Sequence, residues 1–142
     1  MFVEKNTRMT RFIPVLLLAA LAALLPGCSA EKKFANRLRG QWQITKYDVN
    51  DARLALEPYT NLGTITFHKN HTGEVDIKNI FTANRRTGVR QIKWTNTANS
   101  VTIQGEDQEL AKAWIVVTNK KKTQLWKSTD GYNHIQEIEL KR

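Results

Sequence analysis

From Gly40 onward, turn chemistry recurs so often that no helix of ordinary length fits between one turn and the next. Lys69-Asn70-His71-Thr72-Gly73 offers Asn and Gly positions that tolerate positive φ. Asn96-Thr97-Ala98-Asn99 divides Trp94 from Val101, and Asn119 with Lys120–Lys122 divides Val117 from Leu125. Asp130-Gly131 is a tight-turn dipeptide. Between these signals lie short runs rich in β-branched and aromatic residues, which is the pattern of half-buried strands. The pattern predicts strands over 40–49, 62–69, 73–81, 88–95, 100–104, 113–118, 123–128 and 132–141, with a helical turn from Glu106 to Lys112. Such spacing implies an all-β antiparallel barrel or sandwich. A parallel α/β sheet would need amphipathic helices between the strands, and the chain has none there.

Alternation assigns one face to the core. That face collects Trp42 and Ile44, Ile65 and Phe67, Val75 and Ile77, Ile92 and Trp94, then Val101 and Ile103. It continues through Ile115 and Val117, Leu125, and Ile138 and Leu140. Trp114 and Trp126 fall on the opposite parity, so each reads as an external aromatic or as the mark of a register change.

The N-terminal part has a different character. Arg8 and Arg11 lead into an apolar run from Val15 to Leu25, far short of the ~20 residues a membrane-spanning helix needs. Leu25-Pro26-Gly27-Cys28 follows, and then Ser29 and the cluster Glu31-Lys32-Lys33. A basic flank, a short apolar stretch and a small residue make a secretory signal. The last four residues resemble the lipobox of bacterial lipoproteins. That resemblance implies that Cys28 carries a diacylglycerol and becomes the first mature residue. The other reading is an ordinary signal peptide with an incidental Cys28. Met9 is an alternative start that gives a more compact signal. The expected organisation is a signal peptide over 1–27, a tether with one helical turn over 28–39, and a barrel over 40–142. By resemblance to enterobacterial sorting, Ser29 after the cysteine favours an outer-membrane anchor facing the periplasm.

Cys28 is the single cysteine, so no intramolecular disulfide holds the fold. The chain has 22 basic and 13 acidic residues, for a net charge of +9. An excess of this kind favours anionic neighbours such as lipid head groups, phosphorylated glycans or acidic proteins, or serves solubility alone.

The first predicted strand opens Leu38-Arg39-Gly40-Gln41-Trp42, and the second hairpin reads Ile65-Thr66-Phe67 through Asn70 to Thr72-Gly73. Trp94 then ends a strand, and Val101-Thr102-Ile103 follows a tight turn. This set resembles the lipocalin-like domains of bacterial envelope lipoproteins, within the calycin group, whose first strand carries Gly-x-Trp. The resemblance implies an eight-stranded up-and-down barrel. Gly40 admits the chain closely to the barrel floor, and Trp42 plugs that floor. It also implies a basic side chain over the tryptophan, for which Lys141 and Arg142 stand in position.

Residues for chemistry are sparse. His68, His71 and His134 form no ligand spacing, and no cysteine pair or His-x-x-x-His supports a metal. The carboxylates make no acid/base pair, no serine sits in a nucleophile elbow, and no glycine-rich phosphate loop calls for a cofactor. Nothing here points to an enzyme or to nucleic acid. Two readings remain. In the first, the barrel binds a small hydrophobic or amphipathic ligand on Ile65, Phe67, Val75, Trp94, Ile115 and Val117. Arg85, Arg86 and Arg90 would then meet an anionic head group. In the second, the barrel is packed and its outer surface contacts an envelope protein.

Overall fold

The computed structural model describes residues 29–51, 57–77, 88–106, 109–129, 131 and 134–142. The expected signal peptide over 1–27, Cys28, Arg85 and Arg86 lie outside the described residues, as does the expected 78–81 strand end.

One helix precedes eight strands. The helix α1 covers Ala30–Leu38, followed by β1 (Gly40–Asp51), β2 (Tyr59–Phe67), β3 (Thr72–Ile77) and β4 (Val89–Asn96). Then come β5 (Ser100–Gly105), β6 (Ala113–Asn119), β7 (Thr123–Thr129) and β8 (His134–Lys141). Each strand pairs antiparallel with the next, and β8 closes onto β1, giving an up-and-down barrel. Closure removes the free edges that an open sheet would expose.

The helix is longer than the single turn expected. Ser29 caps it, its Oγ accepting from the Lys32 N–H at 3.3 Å, and Glu31 in the first turn and Arg37 in the last match the helix dipole. Phe34, Ala35 and Leu38 line one side of α1 and are buried against the barrel. That stripe makes the segment a lid on the barrel floor rather than a loose tether.

Two glycines are set by backbone geometry. Gly40 has φ +102°, and a Cβ there would meet the Arg142 guanidinium at 3.2 Å. Gly63 has φ +140°, and a Cβ there would lie 1.9 Å from the Asp76 carbonyl oxygen. Only glycine adopts such φ freely or leaves room for so close an approach.

β1 changes parity midway. Trp42 pairs with Ile65 and Ile44 with Gly63, and then the register breaks between Ile44 and Lys46 against both β2 and β8. Beyond the break Tyr47 faces inward and is fully buried. A single irregularity of this kind moves every later side chain to the other face.

The expected facing of β6 and β7 is reversed. Ile115 and Val117 are 62% and 54% exposed, whereas Trp114 and Trp126 are fully buried. Leu125 likewise turns from the interior and is only part-buried. Trp114 pairs with inward-facing Val101, and Trp126 with inward-facing Ile138. In the run Trp114-Ile115-Val116-Val117 either parity presents an apolar face, and the larger ring gains more by burial. Around Trp126 the pattern is masked by polar neighbours, since Gln124 and Ser128 also face inward and are buried. Glu106–Lys112 forms no helix among its described residues; Leu110 to Lys112 make a turn in which the Lys112 N–H donates to the Leu110 carbonyl at 2.9 Å.

Candidate functional site

The interior is built in three levels. At the floor, beneath α1, the Trp42 indole N–H donates to the Leu38 carbonyl at 2.7 Å. The Arg142 guanidinium lies 4.0 Å from the centre of the Trp42 ring and donates to the carbonyls of Arg37, Leu38 and Arg39. Of the two basic residues that stood in position for this role, Arg142 takes it. Burial against the ring pulls its pKa below the ordinary value. Lys141 instead turns outward to Glu139, at 2.6 Å.

The middle level is aromatic. Phe67 meets Trp94 edge-on at 5.5 Å between ring centres, and Trp126 from another side of the barrel at 6.0 Å. The Trp94 N–H donates to the Thr72 carbonyl at 2.9 Å, and the Trp126 N–H donates to Gln124 Oε1 at 3.3 Å. Gln124 in turn donates to Asn119 Oδ1 and the Lys120 carbonyl, so its burial is satisfied by hydrogen bonds. Ile65, Phe67, Val75 and Trp94 do face one another inside the barrel, each no more than 1% exposed. The rings of Phe67, Trp94 and Trp126 meet at this level.

The third level lies toward the far end, where β1 and β3 finish and β4 begins. Arg90 stands directly opposite Val75 in the β3–β4 register, on the same face as Ile92 and Trp94. It is therefore a cation on the inner face of β4, whose other inward side chains, Ile92 and Trp94, are apolar. Across the barrel, Ser128 pairs with Gln136, and both are buried. Ser128 donates to the Ala113 carbonyl at 2.8 Å. Lys112 Nζ donates to Gln136 Oε1 at 2.5 Å and sits 5.7 Å from the Trp114 ring centre. The Trp114 N–H donates to the Leu110 carbonyl at 3.0 Å, and the Tyr47 hydroxyl donates to Glu109 Oε2 at 3.1 Å. Ile77 and Ile103 supply buried apolar wall.

The far end thus combines aliphatic and aromatic walls with two basic groups, an amide and hydroxyls. Such a lining accommodates an apolar body and an anionic or hydrogen-bonding head. Of the residues expected in the site, Arg90 belongs here, and Ile115 and Val117 do not line the interior at all. Lys112, Trp114, Gln136 and Tyr47 were not expected here. The spacing Leu110…Trp114, which repeats Leu38…Trp42, was the available signal for Trp114. Gln136 and Lys112 carried none, because a polar residue at an inner position looks like any other polar residue.

The family model of the lipocalin-like domain matches residues 38–125. Among solved structures, a lipocalin-like protein from Bacteroides uniformis superposes with a TM-score of 0.52 at 11% identity, over 75% of this chain and 98% of that one. A redesigned beta barrel gives a TM-score of 0.49 at 17% identity, over 76% of this chain and 93% of that one. No curated protein matches the chain.

Proposed function

Because the chain belongs to the lipocalin-like domain family, we propose that it binds a small amphipathic ligand in the far half of its barrel, as a non-catalytic protein of the bacterial envelope. The observation that carries this reading is Arg90, a cation placed on the inner face opposite Val75. Charged side chains are rarely turned inward without a use for the charge. With Lys112 at the same end, the lining suits a carboxylate or phosphate head with its chain directed between Ile77 and Ile103. The aromatic level around Phe67 then forms the bottom of the site, which limits the ligand to a short or bent chain.

The anchor is the second component. The lipobox-like Leu25-Pro26-Gly27-Cys28 supports attachment through acylated Cys28, and two or more acyl chains give stable membrane residence. Ser29 supports the outer membrane as its destination. The experiment that tests the binding reading is native mass spectrometry of the protein purified from its own envelope. A co-purifying molecule of amphiphile mass, displaced by added fatty acid, is the expected result. A bare protein that also fails to take up any amphiphile ends the reading.

The packed-barrel alternative is favoured by one observation. Ile115 and Val117 place an apolar stripe on the outer face of β6. In that case a protein partner would be recovered by cross-linking at β6, and the interior would stay empty of ligand.

A further inference from the structure

The charges of this protein are segregated along the barrel axis. The floor is made by α1, the turns 68–71, 97–99 and 120–122, and Arg142. Together these segments hold eight lysines and arginines, and their acidic side chain is Glu31. Lys33, Arg37, Lys69 and the run Lys120–Lys122 are exposed there. Lysines on the wall behave differently. Lys46 pairs with Asp48 at 3.2 Å and Glu137 at 3.5 Å, and Lys127 pairs with Glu137 at 3.2 Å. Among the described residues, Lys33, Lys69 and Lys120–Lys122 make no such ion pair.

Several floor segments are also tied to one another. Arg37 Nη1 donates to the Asn119 carbonyl at 2.5 Å, tying the helix to the β6–β7 turn. The Arg142 N–H donates to the Lys122 carbonyl at 3.1 Å, and Asn96 donates to the Glu31 carbonyl at 3.0 Å. Between the helix and the β2–β3 turn lies a cleft of about 360 Å³. Lys32, Arg39 and His71 line it, opposed by Glu31, and the buried Nε of Arg39 has no hydrogen-bond partner. The size and basic lining of the cleft match a phosphate-bearing head group.

We propose that the floor of the barrel docks flat on an anionic lipid surface, with the far end directed away from the bilayer. Two observations point the same way. Clustered lysines and arginines are attracted to anionic head groups within a Debye length of the surface. The described chain also begins at this end: Ser29 caps the helix that covers the floor, directly after the proposed anchor at Cys28. The orientation rests in part on that anchor, but the charge segregation does not depend on it.

The test is a lysine footprint of the mature protein, acetylated on neutral phosphatidylcholine vesicles and on vesicles containing phosphatidylglycerol. Lys33, Lys69 and Lys120–Lys122 should react several-fold more slowly on the anionic vesicles, while Lys46 and Lys127 react equally on both. The difference should vanish at about 1 M salt, where the Debye length is about 3 Å. Each lysine near an anionic surface is worth roughly a fivefold change in partition. Replacing Lys120, Lys121 and Lys122 by Gln should therefore weaken the anionic preference by roughly a hundredfold. Equal labelling on both vesicle types overturns the proposal, as does protection by a soluble acidic peptide but not by the vesicles. The anchor is scored separately by the mass of the mature N-terminus, so an unacylated Cys28 with floor protection intact would remove the anchor and leave the docking face.

Discussion

Arg142 and Trp42 lie at opposite ends of the barrel sequence, yet the guanidinium of one sits 4.0 Å from the ring centre of the other. The pair joins the last described residue to the first strand, and Leu38 binds both: its carbonyl accepts from the Trp42 N–H and from Arg142. Helix, first strand and chain end are thereby fastened at one point.

Trp42→Ala should cost about 3–5 kcal/mol, the range for a large aromatic removed from a core. Arg142→Ala should cost less, about 0.5–2 kcal/mol for a cation held over an indole. Urea melts of the two single variants and the double variant check this. The double variant should lose less than the sum of the singles, because the residues are in contact.

The inverted facing of β6 has a direct readout. Ile115→Thr and Val117→Thr should each change stability by no more than about 0.5 kcal/mol, as at other exposed positions. Trp114→Phe should cost about 1 kcal/mol or more, because it removes the indole hydrogen bond and part of a buried ring, while the Leu110 carbonyl keeps the Lys112 N–H. Denaturant midpoints showing the reverse order would contradict the assigned parity.

Stability should depend on pH at the alkaline side through Lys46. Its side-chain hydrogen bond to Asp48, with the charges of Asp48 and Glu137, raises its pKa above the ordinary lysine value. The ammonium form is therefore favoured by folding. Its stabilising share is whole below the pKa of the unfolded chain and is lost as pH rises through the raised folded value. The urea midpoint should fall more steeply above the ordinary lysine pKa in the parent protein than in Lys46→Met, whose alkaline profile should be flatter.

Ligand selectivity should follow Arg90. In titrations with a fatty acid and its methyl ester, followed by tryptophan fluorescence, Arg90→Gln should weaken the acid and leave the ester nearly unchanged. Equal weakening of both would assign Arg90 a structural part only.

Cys28→Ala should release the protein from the membrane fraction or leave its signal uncleaved. Fractionation and the mass of the N-terminus distinguish the two from a variant that stays membrane-bound at mature length, which would rule out acylation of Cys28.

The strand count was legible in the sequence because turn residues cut the chain at several hairpins; Asn70, or Asn96 and Asn99, sit where the chain reverses. The floor motif was legible because Gly40 and Trp42 carry backbone and size requirements that few residues meet. The facing of β6 was not, since Trp114, Ile115, Val116 and Val117 are apolar on both sides. β7 was obscured for the opposite reason, with inward Gln124 and Ser128 beside Trp126. Tyr47 was missed because the irregularity after Ile44 depends on the fit of β1 to both neighbours, and no local residue pattern announces it. At the candidate site, Arg90 was read with Arg85 and Arg86 as part of a basic loop before β4, and the structure places it in β4 itself, on the face of Ile92 and Trp94. Lys112 and Gln136 became visible only when the barrel brought the turn before β6 within reach of β8.

The eight ladders are not equally long. Among the described residues β5 and β6 share only three register pairs, Ser100 with Ile115, Val101 with Trp114 and Thr102 with Ala113. Single bonds from the Ile103 N–H to the Lys112 carbonyl and from the Val116 N–H to the Asn99 carbonyl extend that seam. A cylinder opens along its shortest stitch, so amide protons here should exchange before those of β1 and β8, whose ladder runs the full length of β8. Once parted, β6 would present a bare backbone edge flanked by Ile115 and Val117. The molecule thus carries a concealed template for self-association, and its resistance to aggregation is set by how firmly three residue pairs hold.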